Sequence, residues 1–402
     1  MKSVAEEYIL ITSTNFPEGG PGANYLNLFC RGLMANGKQI RVYLLKGHAF
    51  GNTRYSGPHT NISPEGVPYT YLGFRQRPEI VLLKLLDQIL SFVRLLSLLI
   101  ILVIQRKQAT VLLYNGDIFF NTPIHLAGRN GKIKVIKFAA EIIDKSQYRK
   151  SALGRISRAT YMFNFRYLNR MSEKLIVFSH YLKEEFAQMG INEKRILVQP
   201  NLTDFEFWQS ERVTTEYTLG YSGAPYMKDG LNDLLISIKI LRDRGVNVTL
   251  LVVGDATFGR SLIPGLKAEC NRLGIEDLIT FTGLVNSREV RSLLSKCQIL
   301  AITRPDTIQT RAGFPTKLGE YFALGKPVLA TRFGDIEKYF KDGSDVILAE
   351  CGSPSSIGAK LEWMLQNDGR LEEIAQNGNR TANHLLEYKN SMKRILEFLS
   401  GN

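Results

Sequence analysis

Apolar residues along this chain fall into short continuous runs separated by stretches with helical spacing. In the first half the runs are "YILIT" from residue 8, "QIRVYLL" from 39, "TVLLYN" from 110, "IKVIKFA" from 133, "KLIVFS" from 174 and "RILVQP" from 195. A strand covered on both faces has no polar side, so unbroken apolar runs separated by helices predict a parallel sheet. Residues 201–217, "NLTDFEFWQSERVTTEY", break the alternation and are the expected hinge. The pattern restarts with "TLGYSG" from 218, "VTLLVVGD" from 248, "LITFTG" from 278, "ILAIT" from 299, "PVLAT" from 327 and "DVILAE" from 345. The expectation is an α/β fold of two doubly wound, Rossmann-like domains, 1–200 and 218–385, whose strand-end loops face a central cleft, with a terminal helix over 386–402.

One segment does not fit a simple alternation. Residues 80–104, "IVLLKLLDQILSFVRLLSLLIILVI", are strongly apolar, yet Lys84, Asp87 and Arg94 interrupt them and leave ten uninterrupted apolar or small residues after Arg94. A spanning helix needs about 20 predominantly apolar residues. The segment therefore reads as a long core helix packed between two strands, with insertion into a membrane surface as the alternative.

Composition changes this picture mainly through charge. With 44% hydrophobic and 22% charged residues the chain has ordinary globular content, and its 402 residues suit two domains. The net charge of +13 is uneven: residues 1–200 hold 27 basic against 13 acidic side chains, whereas 201–402 hold 24 against 25. Residues 129–170 alone carry eleven basic residues and two acids, interleaved with Tyr161, Phe163, Phe165 and Tyr167. Nucleic acid, anionic lipid or a phosphorylated substrate would each suit such a face, as would plain solvation. Cys30, Cys270, Cys297 and Cys351 lie far apart, which fits a reducing compartment and argues against a cysteine zinc site. The N-terminal "MKSVAEEYILITSTNF" lacks the features of a secretory signal, so the expected location is the cytoplasm.

Candidate chemistry gathers at strand ends. After the first run comes "NFPEGGPGANYLNLF", where Gly20 and Gly22 let the backbone approach a ligand and Asn24 is the expected helix cap. A structural turn explains it equally well. In the second half "GYSGAPYMKDGLNDLL" places Gly223 and then Lys228 before a helix, which favours phosphate contact over a plain surface lysine. "FTGLVN" sets Gly283 and Val285 where a flat base could pack. In "GFPTKLGEYFALGKPVLAT", Pro315 suits the first helical turn, and the free amides of Thr316, Lys317 and Leu318 make an anion site. Glu320 lies about one turn further in, from where a carboxylate reaches both hydroxyls of a ribose. Its bland reading is the solvated side of a helix.

The order of "GGPGAN", "QPNLTDFEFW", "YSGAPYMKDG", "VVGD", "FTGLV" and "GFPTKLGEYFALGKPVLAT" resembles the family 4 retaining glycosyltransferases of the GT-B fold. "PTKLGEY" with "GKPV" resembles the branch found in bacterial surface polysaccharide and glycan assembly. The resemblance implies a hexosyltransferase-type enzyme with a nucleotide-sugar donor held by the second domain. A glycan or lipid-diphosphate-linked acceptor would be held by the basic first domain, and the terminal helix would cross back to it. Carried over by position, Glu320 binds the ribose, Lys228 and the Thr316–Leu318 amides meet the diphosphate, Val285 falls near the base and Gly20 beside the donor phosphate. Two positions depart from the pattern. Ala312 stands where a sugar-contacting glutamate is usual, and Ala224 where an arginine is usual. Arg304 or Lys317 is the expected source of the missing charge, Asp306 an expected sugar contact, and Glu141 or Asp117 an expected contact to acceptor or sugar.

No Asp-x-Asp sits at a strand end and the five histidines show no ligand spacing, so neither metal nor other cofactor is expected. No nucleic-acid partner is expected. The basic first domain makes an anionic membrane surface an alternative partner, with peripheral attachment to the inner face of the cytoplasmic membrane. Two rival functions remain at this level: a sugar-nucleotide epimerase of the same fold, and a non-catalytic sugar-nucleotide-binding scaffold.

Overall fold

The computed structural model describes residues 7–48, 57–105, 108–142, 151–210, 213–256 and 260–401. Two compact units emerge, Met1–Pro200 with Ser391–Asn402, and Asn201–Asn390.

The first unit is built on an eight-stranded sheet: β1 Glu7–Thr12, β2 Gln39–Leu44, β3 Thr60–Ile62, β4 Pro68–Tyr71, β5 Ala109–Tyr114, β6 Ile133–Ala139, β7 Lys174–Val177 and β8 Ile196–Val198, in the order β3-β4-β2-β1-β5-β6-β7-β8. All pairs are parallel except β3 with β4. Ile9, Ile11, Val111 and Leu113 enter one core with leucines from the helices that cover that face. β3 and β4 were not expected. At three and four residues, with Pro68 and several polar positions, they lack a readable apolar run.

In the second unit β9 Tyr217–Ser222, β10 Leu250–Val253, β11 Ile279–Phe281, β12 Cys297–Ile302, β13 Val328–Thr331 and β14 Ile347–Ala349 form an all-parallel sheet in the order β11-β10-β9-β12-β13-β14. Its faces are covered by two separate apolar clusters. The chain winds outward from β9 in one direction and from β12 in the other. The strand order therefore reverses between β9 and β12, which is where open parallel sheets bind ligands.

Residues 201–217, expected as a hinge, belong to this second unit, because Phe205 and Trp208 are buried in one of its cores. The final helix runs over Tyr388–Ser400. From Ser391 onward it packs in the first unit, where Arg394 donates to Gln199 Oε1 at 2.5 Å and Lys174 donates to the Phe398 carbonyl.

The Val81–Ile104 helix corrects the core reading. Only a narrow stripe, Asp87, Ser91, Leu95, Leu99 and Leu102, is buried. Leu82, Leu86 and Ile104 are 73%, 50% and 72% exposed.

Candidate functional site

The reversal point brings together the loop after β9, the loop after β12 and the start of the Thr316–Ala323 helix. The loop after β9 turns tightly at Gly223, with φ +105°, and at Gly230, with φ +68°. Both positions need glycine for space as well as conformation. A Cβ on Gly223 would meet Lys317 Cε at 2.7 Å, and one on Gly230 would meet the Thr303 carbonyl oxygen at 1.7 Å. Thr303 Oγ1 donates to the Gly230 carbonyl at 2.9 Å and Thr331 Oγ1 to the Arg304 carbonyl at 2.6 Å, so the strand-end loops are tied to each other.

At the centre lies Asp229, 3% exposed. Arg304 donates to its Oδ1 through Nε at 3.2 Å and Nη2 at 3.0 Å, and the Lys317 ammonium stands 3.2 Å from the same oxygen. Burial alone would raise the Asp229 carboxyl, but Lys317, Arg304 and Lys228 outweigh it and hold it below the usual carboxylate range. Lys317 also donates to Tyr221 Oη at 2.8 Å and lies 4.2 Å from that ring's centre. Burial lowers its ammonium to about 8 against the pull of Asp229. Two cations share one carboxylate, leaving the cluster net positive and short of anionic partners.

The Thr316–Ala323 helix begins directly beside this cluster. Pro315 stands at its cap rather than in its first turn, and Leu318 N–H turns back onto the Pro315 carbonyl at 3.3 Å. Of the three amides expected to be free, those of Thr316 and Lys317 therefore remain, with no acceptor among the described residues. They add the partial positive charge of a helix N-terminus. One turn in, the half-buried Glu320 is raised to about 7 by burial, which Lys317 only partly offsets. The next residue, Tyr321, accepts the Ser222 N–H at 2.8 Å through its Oη and fixes the helix against β9.

The other expected residues are placed as follows. Lys228 is exposed on the Met227–Asp229 turn. Val285 is half-buried against a core cluster while Leu284 beside it is 61% exposed. Asp306 is held by Arg311 at 2.7 and 2.5 Å. Ala312 is fully buried, and Ala224 accepts the Tyr221 hydroxyl through its carbonyl at 3.1 Å. Asp229 is not among the residues expected from the sequence. An acid between a lysine and a glycine at a strand-end turn was the available signal for its role.

Gly20, Gly22, Glu141 and Asp117 lie in the first unit. Gly20 caps the Pro21–Ala35 helix with Gly22 in its first turn, so Asn24 sits inside that helix instead of capping it. Asp117 caps the Ile118–Gly128 helix by accepting the Phe120 N–H at 3.3 Å. Asp117 and the exposed Glu141 border a cavity of about 440 Å³ floored by Lys137. Lys137 donates to Asn164 Oδ1 at 2.9 Å, and burial lowers its ammonium to about 7. Residues 143–150 of the basic run lie outside the described residues.

Residues 203–381, which contain the whole Asp229, Arg304, Lys317 and Glu320 arrangement, match the family model of the group 1 glycosyl transferases. The match lies wholly within the second unit. Among curated relatives, the uncharacterised glycosyltransferase MJ1178 of Methanocaldococcus jannaschii is 26% identical over 215 residues, 53% of this chain and 56% of the relative. The capsular polysaccharide biosynthesis glycosyltransferase CapM of Staphylococcus aureus is 25% identical over 165 residues, 41% of this chain and 40% of CapM. The chain thus spans about half the length of the curated relatives it matches. Among solved structures, HepE of Anabaena in complex with UDP superposes with a TM-score of 0.74 at 17% identity, covering 99% of this chain and 100% of HepE. The fold is therefore GT-B.

Proposed function

We propose that the chain transfers a sugar from a nucleotide-diphosphate sugar to a glycan or lipid-linked acceptor, with retention, in cell-surface polysaccharide assembly. The observation that carries this reading is a net-positive Arg304–Lys317–Asp229 cluster beside free helix amides, with the perturbed acid Glu320 one turn further in. The Thr316 and Lys317 amides, Lys317, Arg304 and the exposed Lys228 would hold the diphosphate. Glu320 would accept both ribose hydroxyls, and the base would lie on Leu284 and Val285. As the glycosidic bond breaks, charge grows on the leaving diphosphate, and fixed positive groups aimed at it lower the barrier. The cavity over Lys137 is the proposed acceptor site, with Glu141 at its border.

The direct test is calorimetric titration with UDP-, GDP- and ADP-sugars. One of them is expected to bind and be turned over, and failure of all three would remove the donor reading. With positive charge supplied by side chains and amides, transfer in EDTA is expected to match transfer with magnesium; a metal-dependent rate would show that the cluster does not suffice.

Glu320→Gln separates the ribose role from a merely structural one. In the wild type Glu320 must ionise to bind the ribose, so donor affinity should climb as pH rises through about 7. The variant should bind donor roughly tenfold more weakly at pH 8, a lost charge-assisted hydrogen bond. It should lose the climb as well. The folded pKa is raised above the unfolded one, so this group's contribution to stability is full below the unfolded pKa. It is lost as pH rises through about 7. The variant should then be more stable than wild type above that pH, by roughly 1–3 kcal/mol. A destabilised variant with unchanged donor affinity would assign Glu320 to the fold alone.

A further inference from the structure

The exposed apolar surface of this protein is concentrated in one place. Of the 23 large apolar side chains exposed among the described residues, eleven lie on the Val81–Ile104 helix. Its inner stripe is firmly seated: Asp87 Oδ1 accepts the Phe74 N–H at 2.5 Å, Arg94 donates to the Leu72 carbonyl at 3.1 Å, and Leu95, Leu99 and Leu102 enter the first-unit core. At about 1.5 Å per residue the helix is long enough to cross a bilayer. Seated on the first unit from Asp87 to Leu102, with Val81 to Leu86 exposed, it is built to lie flat instead.

The apolar face continues onto its neighbours. The Phe92 and Phe119 rings are 4.2 Å apart, and a groove between this helix and Ile118–Gly128 is lined by Ile100, Val103, Ile104, Pro123 and Leu126. The latter helix is joined in turn to the Ala152–Leu168 segment, where Asn121 donates to Asn164 Oδ1 at 3.1 Å. On that segment Ile156, Phe163 and Tyr167 are exposed beside exposed Arg155 and Arg166. The leucine-rich helix thus belongs to a set of joined helices that also exposes aromatic side chains and arginines.

We propose that this face binds the surface of an anionic lipid bilayer, with the Val81–Ile104 helix in the membrane plane. Contiguous apolar patches of this size mark interaction surfaces. The composition is that of an interfacial helix: apolar residues for the acyl boundary, arginines for the headgroups, and Lys84, whose stem allows its charge to snorkel. A second copy is the weaker occupant, because the helices that form this face carry no exposed acid to pair with Arg155 and Arg166 across a twofold contact. The inference does not depend on the donor reading.

The test is flotation of the full chain with vesicles of phosphatidylcholine alone or mixed equally with phosphatidylglycerol. The wild type should float with the anionic vesicles, less so in high salt. Leu82→Glu with Leu86→Glu should cut the bound fraction about tenfold. Arg155→Ser with Arg166→Ser should abolish the preference for anionic lipid. All four positions are exposed, so the thermal melts should match wild type. Equal flotation of wild type and variants would overturn the proposal. So would a wild-type dimer that ignores vesicles and that Leu82→Glu with Leu86→Glu splits into monomers. Resistance of the bound wild type to alkaline carbonate would replace an in-plane helix with a spanning one.

Discussion

Asp229→Ala is expected to be the most destabilising single change in the second unit, lowering its unfolding free energy by roughly 3–5 kcal/mol. The carboxylate is 3% exposed and is the shared partner of Arg304 and Lys317, whose side chains are 14% and 12% exposed. Removing it leaves two like charges a few ångströms apart with little water to screen them. At about 2–4 °C per kcal/mol for a unit of this size, the melting temperature should fall by about 10 °C. The pH dependence has a definite sign. The Asp229 pKa is depressed in the fold, so its contribution is present above the unfolded carboxylate pKa and lost as pH falls through the folded one. The variant should lack that acid limb. Lys317 should drop further below its value of about 8, making the variant's deficit smaller in alkali. Added diphosphate should raise the variant's melting temperature more than that of the wild type, because the anion replaces the missing carboxylate. An unchanged melting temperature would show that the two cations do not need Asp229.

The sheets were legible in the sequence for a physical reason. Strands covered on both faces have no polar positions, so "VTLLVVGD" or "ILAIT" announces itself without any partner. β3 and β4 lie at the edge of the first sheet and are too short to do so. The Val81–Ile104 helix shows the opposite failure. Hydropathy reports how apolar a helix is and not which face the fold covers, so a segment read as core proves to be seated by one stripe. Asp87, read as an interruption, lies within that stripe.

The site divides in the same way. Glu320 and the amides before it are local features of one helix and its preceding proline, and spacing alone picks them out. Asp229 and Arg304 are 75 residues apart, and nothing near either residue says that they meet. Their meeting depends on β9 pairing with β12 and not with the strand before it, a property of the reversed strand order. Lys228 illustrates the same limit: its neighbour in sequence turns inward while it faces solvent.

Those positions bear on the second large effect. Lys317→Met should reduce transfer about a hundredfold, as expected for one charge-assisted contact of about 2–3 kcal/mol made to the leaving diphosphate. Lys228→Ala should cost less, roughly tenfold, because water screens an exposed ammonium. Lys317 is held by Tyr221 and Asp229 before any ligand arrives, so little reorganisation is needed as charge develops. The loss should therefore appear chiefly in kcat, with donor KM changed less, since the charge it meets is greater in the transition state than in the bound donor. Met fills most of the same space, and Asp229 keeps Arg304, so the fold should survive. Burial lowers the free ammonium to about 8, and wild-type kcat/KM should fall as pH rises through that value. Lys317→Arg, which stays charged, should retain part of the activity and lose the alkaline limb. If Lys317→Met instead raises KM alone, or if the limb persists in Lys317→Arg, this ammonium anchors the donor or the turn at Gly223 and takes no part in bond breaking.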